Sequence, residues 1–434
     1  MQNSNYFRDI KNRLVYPILQ HDDYSWRDIL AISALFLFSI AFWIKELSFH
    51  AYTFAHFFLL LAWILDGGLS RLKEMIKEPF VAAILILCIV MALGIFWSDD
   101  LKLGFKVLRR YIAFLIFIPY LALLNKERLP WAIGSLLIGY FAVLATGIYQ
   151  WLVLDVQGIP PLSMPYLKFS SMLGIGVLLA LYFAGITKDN KTKLFLSIFS
   201  IFLLFIQFNQ DARGILIATI ISSALFIFLF FRKEIGKLLV IMALLVVVCG
   251  IFAYNSDNFQ KRLALANDNI KSFKAGDYNT SPGQRLALWD IGLYNIAERP
   301  LFGHGTGMAL HSFDTSAQTY KGGFYKNLPQ FSEKKFVHYH NDWVEIGIHI
   351  GALGLFAYAY LLWGWFQTLK AHKLVIPGAT LLCFVFLCGI TDLFVFFRQT
   401  IFLLVAVTAI GICWQRTHEI DSIPITMKEK NISA

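Results

Sequence analysis

The chain of 434 residues is 58% hydrophobic and only 15% charged, a composition that excludes an ordinary soluble globular protein. The net charge of +10 could indicate a nucleic-acid partner, but the sequence has neither an aromatic–basic RNA-binding pattern nor a Walker-type phosphate loop. Loop orientation and attraction to anionic lipid headgroups explain the excess of Lys and Arg more simply. The five Cys all fall in apolar stretches, which predicts packing residues and not disulfides or metal ligands.

Several apolar stretches approach the length that a bilayer span needs, about 20 residues. We predict an all-α integral membrane protein with about 12 transmembrane helices. The first apolar stretch follows a polar segment and has no small-residue cleavage site after it, so we expect no removable signal peptide. The predicted spans lie near residues 29–44, 49–65, 80–97, 111–124, 131–154, 166–187, 194–208, 215–231, 238–254, 345–366, 374–394 and 400–415.

Lys and Arg are concentrated in alternate gaps between these spans. They precede span one and recur after spans two, four, six, eight and ten and in the tail, whereas most odd-numbered short gaps are acidic or nearly neutral. Because short cytoplasmic loops carry the positive charge, we expect both termini in the cytoplasm. The gap at 97–110 departs from the pattern, with four cations on the predicted outer side: Lys102, Lys106, Arg109 and Arg110.

This topology predicts four parts of the chain. Spans 1–9 occupy residues 1–254, and one large, partly helical loop on the side away from the cytoplasm occupies 255–340, between spans 9 and 10. Spans 10–12 follow over 341–415, and residues 416–434 form a cytoplasmic tail. The long polar loop is the part of the chain in which we expect the functional chemistry.

A helix is predicted inside the loop. It begins at Ser281 as N-cap, with Pro282 at the first helical position, and runs to about Glu298, where Pro300 ends it. The segment 303–307, Gly-His-Gly-Thr-Gly, follows. Its glycines could let the backbone approach a phosphate, but the spacing is not a dinucleotide fingerprint and no strand precedes it, so a tight turn is favoured.

His340 stands at the exit of the loop. Asn341 or Asp342 can cap the next helix, which leaves His340 beside a helix amino terminus. The helix dipole disfavours imidazolium there, so His340 should stay neutral and able to accept a proton as a general base. One alternative is a surface loop with incidental histidines. Another is a metal site of His338 and His340 with His304 or Asp342, for which no helical His pair or Cys pair sets the spacing.

Two arginines are candidates for binding an anion. Arg213 lies between spans seven and eight, and an arginine at membrane depth marks a site by default unless it is paired or hydrated. Arg285 lies on the predicted loop helix. A guanidinium suits the oxygens of a phosphate or diphosphate. The structural alternatives are an ion pair with Asp211 or a snorkelling side chain for Arg213, and a solvated helix face for Arg285.

The Arg213 segment, the loop helix with its glycine turn, and the His340 segment follow one another in the order seen in the O-antigen ligase superfamily, which the chain resembles. Members of that superfamily share a multi-span body and one long periplasmic loop late in the chain. The similarity is continuous over roughly residues 200–360. Two mild departures are Asp211-Ala212, where small hydroxyl residues are common, and Val344, where Leu is usual. The matching features are Arg213-Gly214, then Arg285 with Pro300 and the 303–307 turn, then His340-Asn341 followed by Gly347, Gly351 and Gly354.

The resemblance implies a metal-independent glycosyltransferase of the bacterial inner membrane, without a cofactor and with a periplasmic active site. Its donor would be an undecaprenyl-diphosphate-linked glycan and its acceptor a sugar hydroxyl of lipid A–core. His340 would be the catalytic base, and Arg213 and Arg285 would bind the leaving diphosphate. His338 and Asn341 would support the site.

Other functions stay open at this point. Pilin and general protein O-oligosaccharyltransferases and O-antigen polymerases belong to the same superfamily and use other acceptors. The protein-glycosylating members often have an extra carboxy-terminal region, whereas only residues 416–434 follow span twelve here, which favours the ligase. A transporter would also have twelve spans. Against it, we find neither Gly/Pro-broken helices in matching halves nor a charged residue at midspan.

Overall fold

A computed structural model describes residues 24–44, 49–257, 280–327 and 338–422, together with 259–261, 263–265, 268 and 278. These residues form helices joined by turns, and their β-type pairing is an isolated bridge between Ile159 and Met164. The predicted all-α class is therefore confirmed. The predicted amino-terminal segment before residue 24, the tail beyond 422 and the loop stretches 269–277 and 328–337 lie outside the described residues.

Eleven described helices precede the large loop region. Apolar sequence makes most of them, and Pro79 at the first position of α4 starts that helix. In chain order they are Trp26–Ala41 (α1), Phe49–Leu65 (α2), Gly68–Met75 (α3), Pro79–Leu93 (α4), Leu101–Tyr111 (α5), Phe117–Leu123 (α6), Leu129–Leu154 (α7), Tyr166–Ile186 (α8), Asn190–Phe208 (α9), Arg213–Phe231 (α10) and Ile235–Asn255 (α11).

Five further described helices complete the chain: Ser281–Glu298 (α12), Ala309–Thr319 (α13), Asp342–Ala371 (α14), Val375–Thr391 (α15) and Arg398–Ser422 (α16). The predicted end of the loop helix α12 at Glu298 is thus correct, but its predicted start, with Ser281 as N-cap, is wrong by one residue. Thr280 is the N-cap, with its side chain accepting a hydrogen bond from the Gly283 amide at 3.2 Å. Ser281 is already helical, and α13 was not predicted.

Eight helices of the described residues are long and apolar enough to cross a membrane, and a ninth is counted if His50–Leu65 and Gly68–Met75, bent by 91°, form one span. The chain is thus a multi-pass membrane protein. Every predicted span coincides with a helical segment, but several are short: α1 has 16 residues, α15 has 17 and α6 has 7. The count of twelve spans stays a prediction.

The cations of the 97–110 gap belong to a short amphipathic helix. Lys102, Lys106 and Arg109 on α5 are exposed, whereas Val107 and Leu108 are buried. Eleven residues cannot span a bilayer, so α5 packs against the bundle with these three cations outward, whereas Arg110 is half-buried.

Helix α14 is broken at Gly351, whose φ of 61° and ψ of −148° only glycine adopts readily. The backbone groups freed by the break bond to the segment that follows α12. The amide of His304 donates to the carbonyl of Ile348 at 2.8 Å, and the amide of Ala352 donates to the carbonyl of Pro300 at 2.7 Å. The loop therefore supplies hydrogen-bond partners for the backbone groups freed at Gly351, which an irregular backbone near a membrane requires.

The 303–307 segment is the predicted tight turn. Gly303, Gly305 and Gly307 all have positive φ, and a Cβ at Gly307 would lie 2.5 Å from the backbone nitrogen of Gly104. Each backbone amide from Gly303 to Met308 already donates to a group of the protein. No free amides are therefore left in this turn for a phosphate, and its glycines serve close packing.

A small hydrophobic core attaches the loop helices to α14. It is separate from the core of the membrane bundle. Burial of such side chains contributes roughly 1.5–3 kcal/mol each, which fixes α12 above the amino end of α14. Its central members are Ala287, Leu288, Ile291, Phe313, Tyr339 and Ile348.

Candidate active site

His340 and Asp392 form a hydrogen-bonded pair. Nδ1 of His340 lies 3.1 Å from Oδ1 of Asp392. Burial raises the pKa of Asp392, but the hydrogen bond and charge of His340, with smaller help from the Leu393 amide and Arg285, outweigh it and hold the pKa below its usual value. An ionised carboxylate only accepts, so Nδ1 donates and Nε2 is left as the proton acceptor. The pair is therefore suited to general-base chemistry.

Asn341 holds His340 and Asp392 close to each other. It is the N-cap of α14, and its Oδ1 accepts hydrogen bonds from the first-turn amides at 2.9 and 3.2 Å. Its Nδ2 donates to the carbonyl of Ile390 at 3.2 Å, two residues before Asp392. His340 itself has a φ of 50°, an unusual conformation for a residue other than glycine. The cap thus ties the start of α14 to the end of α15 and positions His340.

Arg285 joins the cluster from the loop helix. Its Nη2 lies 3.8 Å from Oδ2 of Asp392, the oxygen that faces away from His340. That oxygen accepts no hydrogen bond from the residues that the structure describes. The Arg285 side chain is 34% exposed, whereas that of Asp392 is 3% exposed. Arg285 is therefore not a solvated helix face: it lies against the buried carboxylate with part of its guanidinium open to a ligand.

Arg213 lies at the same end of the bundle. It is the first residue of α10 and is half-buried. A Cβ added at the next residue, Gly214, would lie 2.8 Å from the side chain of Thr391, which directly precedes Asp392. The start of α10 therefore packs against the end of α15, and Arg213 begins its helix beside the cluster.

His338 packs against His340. The two ring centroids are 4.1 Å apart, with the planes at 63°. Burial, and next the charge of His340, lower the pKa of His338 to about 4. His338 is thus neutral near pH 7 and supports the neighbouring ring.

A metal ion is a possible alternative occupant. His338, His340 and Asp392 bring one ligand atom each within 4.8 Å of one another. The further ligands expected from the sequence lie elsewhere: His304 bonds to the Asn295 carbonyl at 2.8 Å, and Asp342 accepts from Tyr358 at 3.0 Å. Because Arg285 shares the same carboxylate, its charge disfavours a second cation there.

Asp392 is the member of the cluster that sequence reasoning missed. It falls near the end of the predicted span 374–394, directly after the last residue of α15, and is 2% exposed. An acidic residue among otherwise apolar segments near a membrane indicates a site by the same reasoning that singled out Arg213. The signal was present, but nothing local connects it to His340.

Comparison with known proteins gives a family match in the middle and later part of the chain. The family model described as O-antigen ligase matches residues 198–359, the stretch that contains Arg213, Arg285 and His340. An uncharacterized protein of Haemophilus influenzae is similar, at 30% identity over 140 residues, which are 31% of this chain and 35% of the relative. The match thus spans about a third of the length of that curated relative. The family match over residues 198–359 supports membership of the O-antigen ligase superfamily.

Proposed function

We propose that the protein is a membrane glycosyltransferase of the O-antigen ligase type. It moves a glycan from an undecaprenyl-diphosphate-linked donor to a sugar hydroxyl of lipid A–core, without a metal ion. The observation that carries the proposal is the cluster in which Asp392 orients His340 at 3.1 Å and faces Arg285 at 3.8 Å. The cluster lies where transmembrane helices end, which suits a donor whose lipid tail stays in the bilayer and whose diphosphate lies at its boundary.

His340 acts as the base in this proposal. Its Nε2 takes the proton of the acceptor hydroxyl while the hydroxyl oxygen attacks the anomeric carbon of the donor sugar. The bond between that carbon and the diphosphate oxygen breaks, and the configuration at the carbon inverts. Asp392 stabilises the imidazolium that forms, because its carboxylate accepts a hydrogen bond from Nδ1 of His340 and keeps its negative charge.

Arg285 and Arg213 stabilise the negative charge that develops on the leaving diphosphate. Fixed guanidinium groups suit its oxygens and need no reorganisation during the reaction. In many other transferases a divalent cation has this role. The His338–His340–Asp392 set could instead hold such an ion, so chelation separates the two mechanisms.

The proposal also includes a location. The protein lies in the bacterial inner membrane with both termini in the cytoplasm, and residues 255–340 form the periplasmic loop that contains α12 and α13. This orientation follows from the alternation of Lys and Arg between gaps. It places the lipid-linked donor and lipid A–core on the same side as His340.

A deletion strain tests the function directly. We expect its lipopolysaccharide to lose the O-antigen ladder and regain it with the wild-type gene but not with His340→Ala. Unchanged lipopolysaccharide together with a shift in the gel mobility of pilin would indicate that the acceptor is a protein and not lipid A–core. A ladder of altered length distribution would indicate a polymerase. An unchanged ladder and unchanged pilin would contradict the proposal.

A further inference from the structure

A second polar site lies at the far end of α12 from Arg285. It is a cavity of about 350 Å³, within the range of small-molecule sites. Three parts of the chain build it: Asp99 before α5, then Glu298 and His304 at the end of α12 and in the turn, then one face of α13 with His311 and Thr315. None of these residues belongs to the cluster around His340.

Buried hydrogen bonds hold the wall of this cavity in place. Ser316, which lines it, donates to Oδ1 of the fully buried Asn295, and Nε2 of His304 bonds to the Asn295 carbonyl at 2.8 Å. Nδ2 of Asn295 donates to the Tyr339 hydroxyl at 3.1 Å. Tyr339 precedes His340, so the cavity is preformed and joined to the segment that carries the base.

The lining indicates a ligand rich in hydroxyl groups. Carboxylates accept hydrogen bonds, Arg299 donates them, and imidazole and hydroxyl groups can do either. A lone anion would meet Asp99 and Glu298. A metal ion is disfavoured because, in the described part of the chain, His338, His340 and Asp392 are the one set with three ligand atoms within 4.8 Å. A sugar, whose hydroxyls both donate and accept, fits all of these groups.

The position of the cavity decides which part of a glycan it takes. Arg285 and Glu298 lie thirteen residues apart on α12, which is about 20 Å at 1.5 Å per residue. A sugar in the cavity is therefore too far from His340 to react. We propose that the cavity is a distal glycan subsite, which binds sugars several units away from the bond that forms. This inference rests on the proposed function for the source of the glycan, which is either the donor or the acceptor chain.

Thr315→Trp and Glu298→Gln test the subsite. Thr315 is exposed, so the indole can fill the cavity without disturbing the core, and Gln keeps the shape of Glu298 while removing its charge. Asp314→Trp is the matched control, because Asp314 is exposed on α13 but does not line the cavity. The probes are two free oligosaccharides, one released from lipid A–core and one released from the donor, titrated into the purified full chain.

We expect one of the two oligosaccharides to bind the wild type, Asp314→Trp and His340→Ala equally, and to bind Thr315→Trp and Glu298→Gln about tenfold more weakly. The oligosaccharide that binds identifies the source. Equal binding to all variants, or no binding of either probe, would overturn the subsite. Since binding is measured without turnover, the subsite can stand if transfer fails, and transfer can stand if the subsite fails.

Discussion

Two charged clusters lie at opposite ends of the bundle and differ in how fully their groups are paired. Arg128, 5% exposed, donates to Asp28 at 2.8 and 2.9 Å and to Asp66 at 2.8 and 3.0 Å. Asp392, 2% exposed, bonds to His340 through one oxygen, while its other oxygen has Arg285 at 3.8 Å. We call the Arg128–Asp28–Asp66 network closed, because its charged groups bond to one another. We call the Asp392–His340–Arg285 cluster open, because it keeps hydrogen-bonding capacity for a ligand.

Helix α14 shows that the two clusters lie at opposite ends of the bundle, because one lies near its last residue and the other near its first. Asp66 and Glu78 flank the short helix α3, and Glu78 bonds to His372, just beyond the last residue of α14, at 3.2 Å. His340 precedes the first turn of the same helix α14. A closed buried network holds helices together, whereas an incompletely paired one is available for chemistry. Substitutions at the two ends should therefore affect different properties.

The largest effect should come from His340→Ala. A general base typically contributes about 10²–10⁴-fold to the rate, so transfer in a purified assay should fall by that factor while the yield of folded protein stays normal. His338→Ala should be milder, because His338 packs against the ring of His340 and is not itself the proposed base. Transfer by His340→Ala near the wild-type rate would sink the mechanism.

Arg128→Ala should have the opposite result. Removing Arg128 takes the arginine partner from Asp28 and leaves Asp66 with Arg71, and breaking a buried ion pair costs up to about 3–5 kcal/mol. We expect a lower melting temperature and less folded protein, with normal transfer per folded molecule. A variant of normal stability but low specific activity would show that the closed network also has a functional role.

Arginine variants of the open cluster should fall between these two. Arg285→Ala and Arg213→Ala should lose roughly 10²-fold in transfer, as with other groups that stabilise developing charge. Lys at either position keeps the charge but not the bidentate geometry, so we expect a partial loss. Melting temperatures measured beside activity are the control. Full activity in both Ala variants would leave these arginines as structural cations.

A loss of activity between pH 7 and 5 should not arise from His338 or Asp392. The pKa of His338 is about 4 and that of Asp392 lies below its usual value, so neither changes charge between pH 7 and 5. His338→Asn should therefore keep the wild-type pH–rate profile in that window, and a changed profile in that variant would contradict this expectation.

His338 and Asp392 have separate effects on the stability of the folded protein. The lowered pKa of His338 means that the unfolded chain binds more protons between about pH 6.5 and 4, so its contribution to stability falls as the pH falls through this window. The lowered pKa of Asp392 contributes stability above its unfolded pKa, which is lost as the pH falls through the folded value. Thermal unfolding of His338→Asn at pH 5 should therefore show a smaller acid loss than the wild type.

The smallest expected effect is that of chelation. If Arg213 and Arg285 supply the positive charge, transfer by the purified protein should be unchanged in excess EDTA. Loss of activity that a divalent ion restores would make His338, His340 and Asp392 metal ligands, since their ligand atoms lie within 4.8 Å of one another.

The sequence by itself determined the local features of this protein. Apolar stretches located the helices, capping and turn residues gave the bounds of α12 to within one residue, and Asn341 was one of two residues, with Asp342, predicted to cap α14. Each of these depends on residues within a few positions of one another, because helix hydrogen bonds and caps join near neighbours. The cap of α12 was misplaced by one residue because Thr280 and Ser281 are both good N-caps.

Only the tertiary structure decided how these features meet. Asp392 lies 52 positions beyond His340, and no periodicity or spacing relates them; the packing of α14 against α15 brings them together. The break at Gly351 likewise depends on the segment from Pro300, which bonds to the groups it frees. A single sequence reports which residues favour a helix or a turn, whereas long-range pairs arise from burial and backbone bonding over the whole fold, and the candidate site is made of such pairs.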